Sequence, residues 1–101
     1  MKKDGYIYFI RDGLGHIKIG VATNIENRLK ALQTANPMKL EFFYGMHVKN
    51  IDDAYIGEKE LHTKFSEDRL MGEWFKEEAI LQFLRQPQIE IDGYMFEGAS
   101  W

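Results

Sequence analysis

Tyr6-Ile7-Tyr8-Phe9-Ile10-Arg11-Asp12-Gly13-Leu14-Gly15-His16-Ile17-Lys18-Ile19-Gly20-Val21 is the stretch on which the fold turns. Tyr6 to Ile10 is aromatic and β-branched, the composition that strands prefer. Asp12-Gly13 and Gly15 supply the positive φ of a hairpin connection. Ile17, Ile19 and Val21 then alternate with His16, Lys18 and Gly20, so a second strand buries one face and presents Lys18 on the other. An antiparallel pair opens the domain, and Tyr6 and Tyr8 share one of its faces.

Working outward, Thr23 and Glu26 form a capping box, with Asn24 as a competing N-cap. Ile25, Leu29 and Leu32 recur at helical spacing until Asn36-Pro37 stops the helix. Leu40 to Val48 reads as a third strand, and its apolar run predicts a central place in the sheet. A second helix starts near Asp52-Asp53, whose carboxylates suit a helix N-terminus, and runs to about Phe65. Ser66 to Gly72 reads as a polar loop, and Trp74-Phe75 as an anchor dropped onto the core rather than a platform for nucleobases. Glu77 to Leu84 is a short third helix ended near Pro87. Ile89 to Phe96 alternates around Asp92-Gly93 as a small hairpin. The expected fold is α/β (α+β), in the order β-β-α-β-α-α plus a C-terminal hairpin tail. Its sheet is small, three-stranded and mainly antiparallel, flanked by helices. Residues 1–101 are expected to form a single domain, with a core at about 5–84 and a tail at 85–101.

At 101 residues the chain has room for one core and not two. It has no cysteine, which excludes a disulfide frame, a thiolate metal site and a cysteine nucleophile. No apolar run approaches the ~18 residues of a membrane span, and no apolar signal segment follows Lys2-Lys3. A cytoplasmic protein without membrane contact is the expectation. The net charge of −3 counts against a nucleic-acid binder until its distribution is considered. Residues 1–50 hold eight Lys/Arg against four Asp/Glu, whereas residues 51–101 hold five against twelve. A basic half can face phosphates while the acidic half faces solvent; compositional scatter gives the same numbers.

Four side chains carry chemistry. On the second helix Ala54, Leu61 and Phe65 make one inward stripe, and Glu58 falls on it. A carboxylate aimed at a core costs on the order of several kcal/mol unless paired. Mg²⁺, or Mn²⁺, is a natural partner, since a hard cation takes one or two carboxylates and keeps most of its waters. A salt bridge to Arg28 or Lys18, or rotation to solvent, is the alternative. Arg28 can hold a phosphate bidentately or pair with Glu26 on the helix surface. Tyr8 and Lys18 add a phenol and an amine on adjacent strands, although strand tyrosines also serve as packing residues.

The ordered set resembles the GIY-YIG nuclease superfamily, with Tyr6-Ile7-Tyr8 and Lys18-Ile19-Gly20 in the places of its two named motifs. Arg28 follows Gly20 by eight residues, as in that superfamily. The chain is most similar to a compact, phage-type branch whose second motif reads Lys-Ile-Gly. That branch closes with the patterns seen here as Glu58-Lys59-Glu60-Leu61-His62-Thr63-Lys64-Phe65 and Gly72-Glu73-Trp74-Phe75. The resemblance spans about residues 5–76. It implies that Tyr8 activates or orients an attacking water, that Arg28 stabilises the phosphoryl charge and that Glu58 holds Mg²⁺ or Mn²⁺. Lys18 is a second candidate for the base, and the choice between it and Tyr8 stays open. Tyr6 would line the same site. His62, one turn after Glu58, would add a ligand, a supporting hydrogen bond or a phosphate contact. Departures are Tyr6 for a glycine, Lys18 for a tyrosine and Leu32 where many members carry a histidine; a late asparagine has no match.

The implied function is a metal-dependent endonuclease hydrolysing nucleic acid, with DNA as the expected partner. The alternatives are a catalytically weak nucleic-acid-binding or accessory module and a protein-interaction domain using the acidic half. A homodimer, paired through the tail hairpin, is a further expectation.

Overall fold

Asp12 closes the first hairpin: its carboxylate accepts from the amides of Leu14 (2.8 Å) and His16 (3.3 Å). The computed structural model describes residues 3–99, so residues 1, 2, 100 and 101 of the expected single domain and its tail lie outside the described residues. The hairpin joins β1 (Gly5–Arg11) to β2 (His16–Ala22), and α1 (Ile25–Thr34) follows. Then come β3 (Glu41–Val48), α2 (Ile51–Lys64), a 3₁₀ turn at Ser66–Asp68, β4 (Arg69–Met71) and β5 (Trp74–Lys76). The chain ends with α3 (Glu77–Leu84) and a hairpin of β6 (Gln88–Ile91) and β7 (Tyr94–Glu97).

The main sheet runs β3-β1-β2-β5-β4 with every neighbouring pair antiparallel. The α/β class and the antiparallel sheet agree with the sequence reading, but the strand count is five rather than three. The loop expected at Ser66–Gly72 and the anchor at Trp74-Phe75 instead contribute β4 and β5. They are three residues each, too short for a period-2 pattern, and Gly72 at φ +55 makes the turn between them. The anchoring itself holds: Phe75 is buried in the core, and Trp74 packs on the opposite face. β3, expected at the centre of the sheet, forms an edge instead. Its apolar run has another cause, because Phe43 and Tyr44 lean onto the core while Phe42 faces solvent.

Alternation along the strands gives the sheet two apolar faces. Ile7, Phe9, Ile17, Ile19, Val21 and Phe75 pack against α2, α3 and the C-terminal hairpin, whose Ile89 and Ile91 join the same core. Tyr8, Ile10 and Ala22 face the other way, under Ile25, Leu29 and Leu32 of α1. The N-cap of α1 is Asn24, whose side chain accepts from the Asn27 amide at 2.9 Å; Thr23 does not serve. Asn50 caps α2 in the same way through the Asp52 amide, with Asp52 and Asp53 in the first turn. No helix among the described residues is long and apolar enough to cross a membrane.

Candidate active site

The site forms where the β2–β5 ladder runs out. β5 pairs with β2 only as far as Lys18, opposite Trp74. One bond further, the Ile19 amide donates to the Glu73 carbonyl at 3.1 Å. The Ile19 carbonyl then lacks a strand partner, and a buried acceptor requires one. His62 supplies it from α2, with Nε2 3.0 Å from that oxygen. A carbonyl can only accept, so Nε2 carries a proton, and in the neutral ring Nδ1 is the atom with a lone pair to offer. The His62 ring also meets Phe75 edge-on at 5.0 Å. One residue of β2 therefore fixes both Glu73 and His62.

Glu58 arrives on the same helix. α2 seats on β1 through Ala54, Gly57 and Leu61, all buried. Gly57 permits the close approach, since a Cβ there would stand 2.9 Å from Ile7 Cδ1. Glu58 lies at the margin of this stripe, half-buried, rather than inside the core. Ligand atoms of Glu58, His62 and Glu73 all fall within 4.8 Å of one another. Two carboxylates this close, partly withdrawn from water, disfavour ionisation. Burial, then the Glu73 charge, pushes the Glu58 carboxyl up to about 7, against a smaller opposing pull from Lys18. The Lys18 ammonium is itself bonded to Glu73 Oε1 at 2.6 Å.

Across the sheet, Tyr8 stands opposite Gly20 in register. Its ring lies over that glycine so closely that a Cβ there would overlap the phenol oxygen and ring carbons. The tyrosine is 1% exposed. Burial, then Glu73, raises its pKa to about 12, with Glu58 adding to the rise; Arg28 opposes by charge and by a hydrogen bond. At neutral pH Tyr8 is a neutral phenol. Arg28 itself is exposed on α1, beside Ala22, Thr23 and Asn27.

The structure thus gathers Tyr8, Lys18, Arg28, Glu58 and His62 around one point, and adds Glu73. Glu73, in Gly72-Glu73-Trp74-Phe75, has no role predictable from the sequence; a carboxylate in a turn after a polar segment is the one local signal it offers. Tyr6 packs its ring on His47 at 5.1 Å and borders Thr23, Asn24 and Ile25 at the start of α1. His47 and His16 bond to Asp4 (2.8 Å) and Asp12 (2.7 Å), away from the cluster.

Two carboxylates and an imidazole suit a divalent cation of the Mg²⁺ or Mn²⁺ type, the nitrogen favouring the softer of the two. The donors fit such an ion because they converge within 4.8 Å, and a cation there would offset the burial and the Glu73 charge that together raise the Glu58 carboxyl. The family model of the T5orf172 domain matches residues 5–87 of the chain. No curated protein and no solved structure matches it.

Proposed function

Because the chain belongs to the T5orf172 domain family, a phage-associated, nuclease-like family related to GIY-YIG and HNH endonucleases, we propose that it is a metal-dependent endonuclease of the GIY-YIG type that hydrolyses DNA. The observation that carries the proposal is the convergence of Glu58, His62 and Glu73 within 4.8 Å, beside Tyr8, Lys18 and Arg28.

Glu58 and Glu73 would hold the cation, with His62 the third residue of the set. When bound, the ion neutralises charge on the phosphoryl oxygens and favours in-line displacement. Arg28 takes a non-bridging oxygen, where a guanidinium matches phosphate geometry better than an ammonium. Tyr8, neutral because of its burial, orients the attacking water by accepting a hydrogen bond from it. Lys18 is bonded to Glu73, while Arg28 is the cation that acts on Tyr8. The Lys18 ion pair positions Glu73; the water gives its proton to solvent as the new P–O bond forms, and the departing alkoxide takes a proton from solvent as the old one breaks. His62 keeps the end of β2 in place while presenting its lone pair. A domain of net charge −3 binds DNA through its basic half, so affinity falls steeply with salt. Dimerisation would supply the footprint that one small domain lacks.

The test compares wild type with Glu58→Gln on supercoiled plasmid, in Mg²⁺, in Mn²⁺ and with EDTA. Nicking that needs the metal and disappears in Glu58→Gln is the expected result. If both proteins fold, bind plasmid equally and cut nothing, the chain is an accessory nucleic-acid-binding module. The Lys18–Glu73 ion pair, which occupies one carboxylate of the set, is the observation on that side.

A further inference from the structure

Met71 is 79% exposed and Leu70 44%, on β4 at the outer edge of the sheet. Paired apolar side chains held in solvent beside a polar centre point to something that covers them. Their tip is stiff. Met71 pairs with Trp74 in register, and Arg69 Nε donates to the Gly72 carbonyl at 2.6 Å. Glu73 is tied to the Ile19 amide and to Lys18. Chain geometry also bounds its position, since the two residues from Met71 to Glu73 span no more than ~7 Å. Met71 is therefore held close beside any phosphodiester bound at Glu58 and Glu73.

We propose that the Leu70–Met71 tip is a wedge that enters duplex DNA between base pairs beside the scissile phosphate. The inference rests on the nuclease reading of the neighbouring site. Leucine and methionine are among the side chains that unstack and kink a duplex when inserted from the minor groove. Arg69, exposed at the base of the tip, supplies a cation for a flanking phosphate. A three-residue edge strand is a poor template for pairing with a second protein chain. The wedge makes the enzyme selective for steps that open cheaply: pyrimidine–purine steps, mismatches and junctions.

The test uses a duplex whose cleavage position has been mapped with wild type in Mg²⁺. 2-Aminopurine is placed one or two steps from the cut, or far from it as a control. Binding of Glu58→Gln raises fluorescence at the near position only, and Leu70→Ser/Met71→Ser added to it abolishes the rise. In the otherwise wild-type protein the same double substitution slows cleavage of paired DNA by about tenfold or more. It has little effect on a duplex mismatched at that step. Cleavage by wild type with a silent probe overturns the wedge and leaves the nuclease intact, as does a double variant that is equally bright and active. A double variant that changes only the oligomeric state makes the tip a contact between copies and also overturns it. A protein that neither cuts nor binds the duplex removes the nuclease reading, and the wedge with it.

Discussion

Gly20 is the residue on which the site's geometry depends most directly, because the Tyr8 ring occupies the space a side chain would need. Gly20→Ala is expected to force the phenol off its position at a cost of about 1–3 kcal/mol, the range of overpacked cores. A urea titration measures the cost, and a nicking assay the loss of alignment; unchanged stability would mean that the ring moves freely. Glu58 supplies a pH dependence. Its carboxyl is raised from 4.5 to about 7 in the folded protein, so the folded state binds more protons than the unfolded between those values. Stability from this group is present below pH 4.5 and is lost as pH rises through about 7. In thermal melts without metal, wild type loses more stability than Glu58→Gln across that window. Mg²⁺ or Mn²⁺ at pH 8 stabilises wild type and not the variant. Parallel pH profiles for the two proteins would count against the carboxylate pair.

At the scale of elements, His62 joins α2 to β2. β2 outlasts β5, and the exposed end of the ladder is closed by a side chain from α2 instead of a strand. His62→Phe keeps the edge contact with Phe75 but leaves the buried Ile19 carbonyl without a donor. The expected penalty is about 1–3 kcal/mol, read from the shift of the denaturation midpoint. It appears with or without divalent cation, which separates it from ligand loss; a penalty confined to the metal-loaded protein would show that the hydrogen bond contributes nothing. The elements also differ in how plainly the sequence announced them. β1, β2, α2 and α3 carry apolar periods over enough residues to be recognised. β4 and β5 do not, since all three residues of β4 face solvent and Trp74 and Phe75 serve opposite faces of the sheet. Nor does an apolar run distinguish a central strand from an edge strand covered by its own aromatic side chains, as β3 is.

In the whole molecule, the last hairpin belongs to the core that backs the site. Ile89 and Ile91 join the cluster containing Ala54, Leu61 and Phe65 of α2. Tyr94 reaches Asp53 at the start of that helix (2.5 Å), and Tyr44 of β3 bonds to the Glu97 carbonyl. Ile89→Ala should cost about 2–5 kcal/mol, a large share of a small domain's stability. It should lower nicking near the melting temperature through α2, although Ile89 takes no part in the chemistry. Full stability in that variant would make the hairpin an appendage. The sequence by itself determined the hairpin, the helices, the antiparallel class and the residue types Tyr8, Lys18, Arg28 and Glu58, because turn chemistry and apolar period belong to contiguous residues. Only the tertiary structure decided that β5 and β4 extend the sheet, that β3 ends it, and that Glu73 meets Lys18 across a separation of 55 residues. Pairing of that kind depends on which backbone groups remain unsatisfied once the sheet has formed, and no local pattern encodes it.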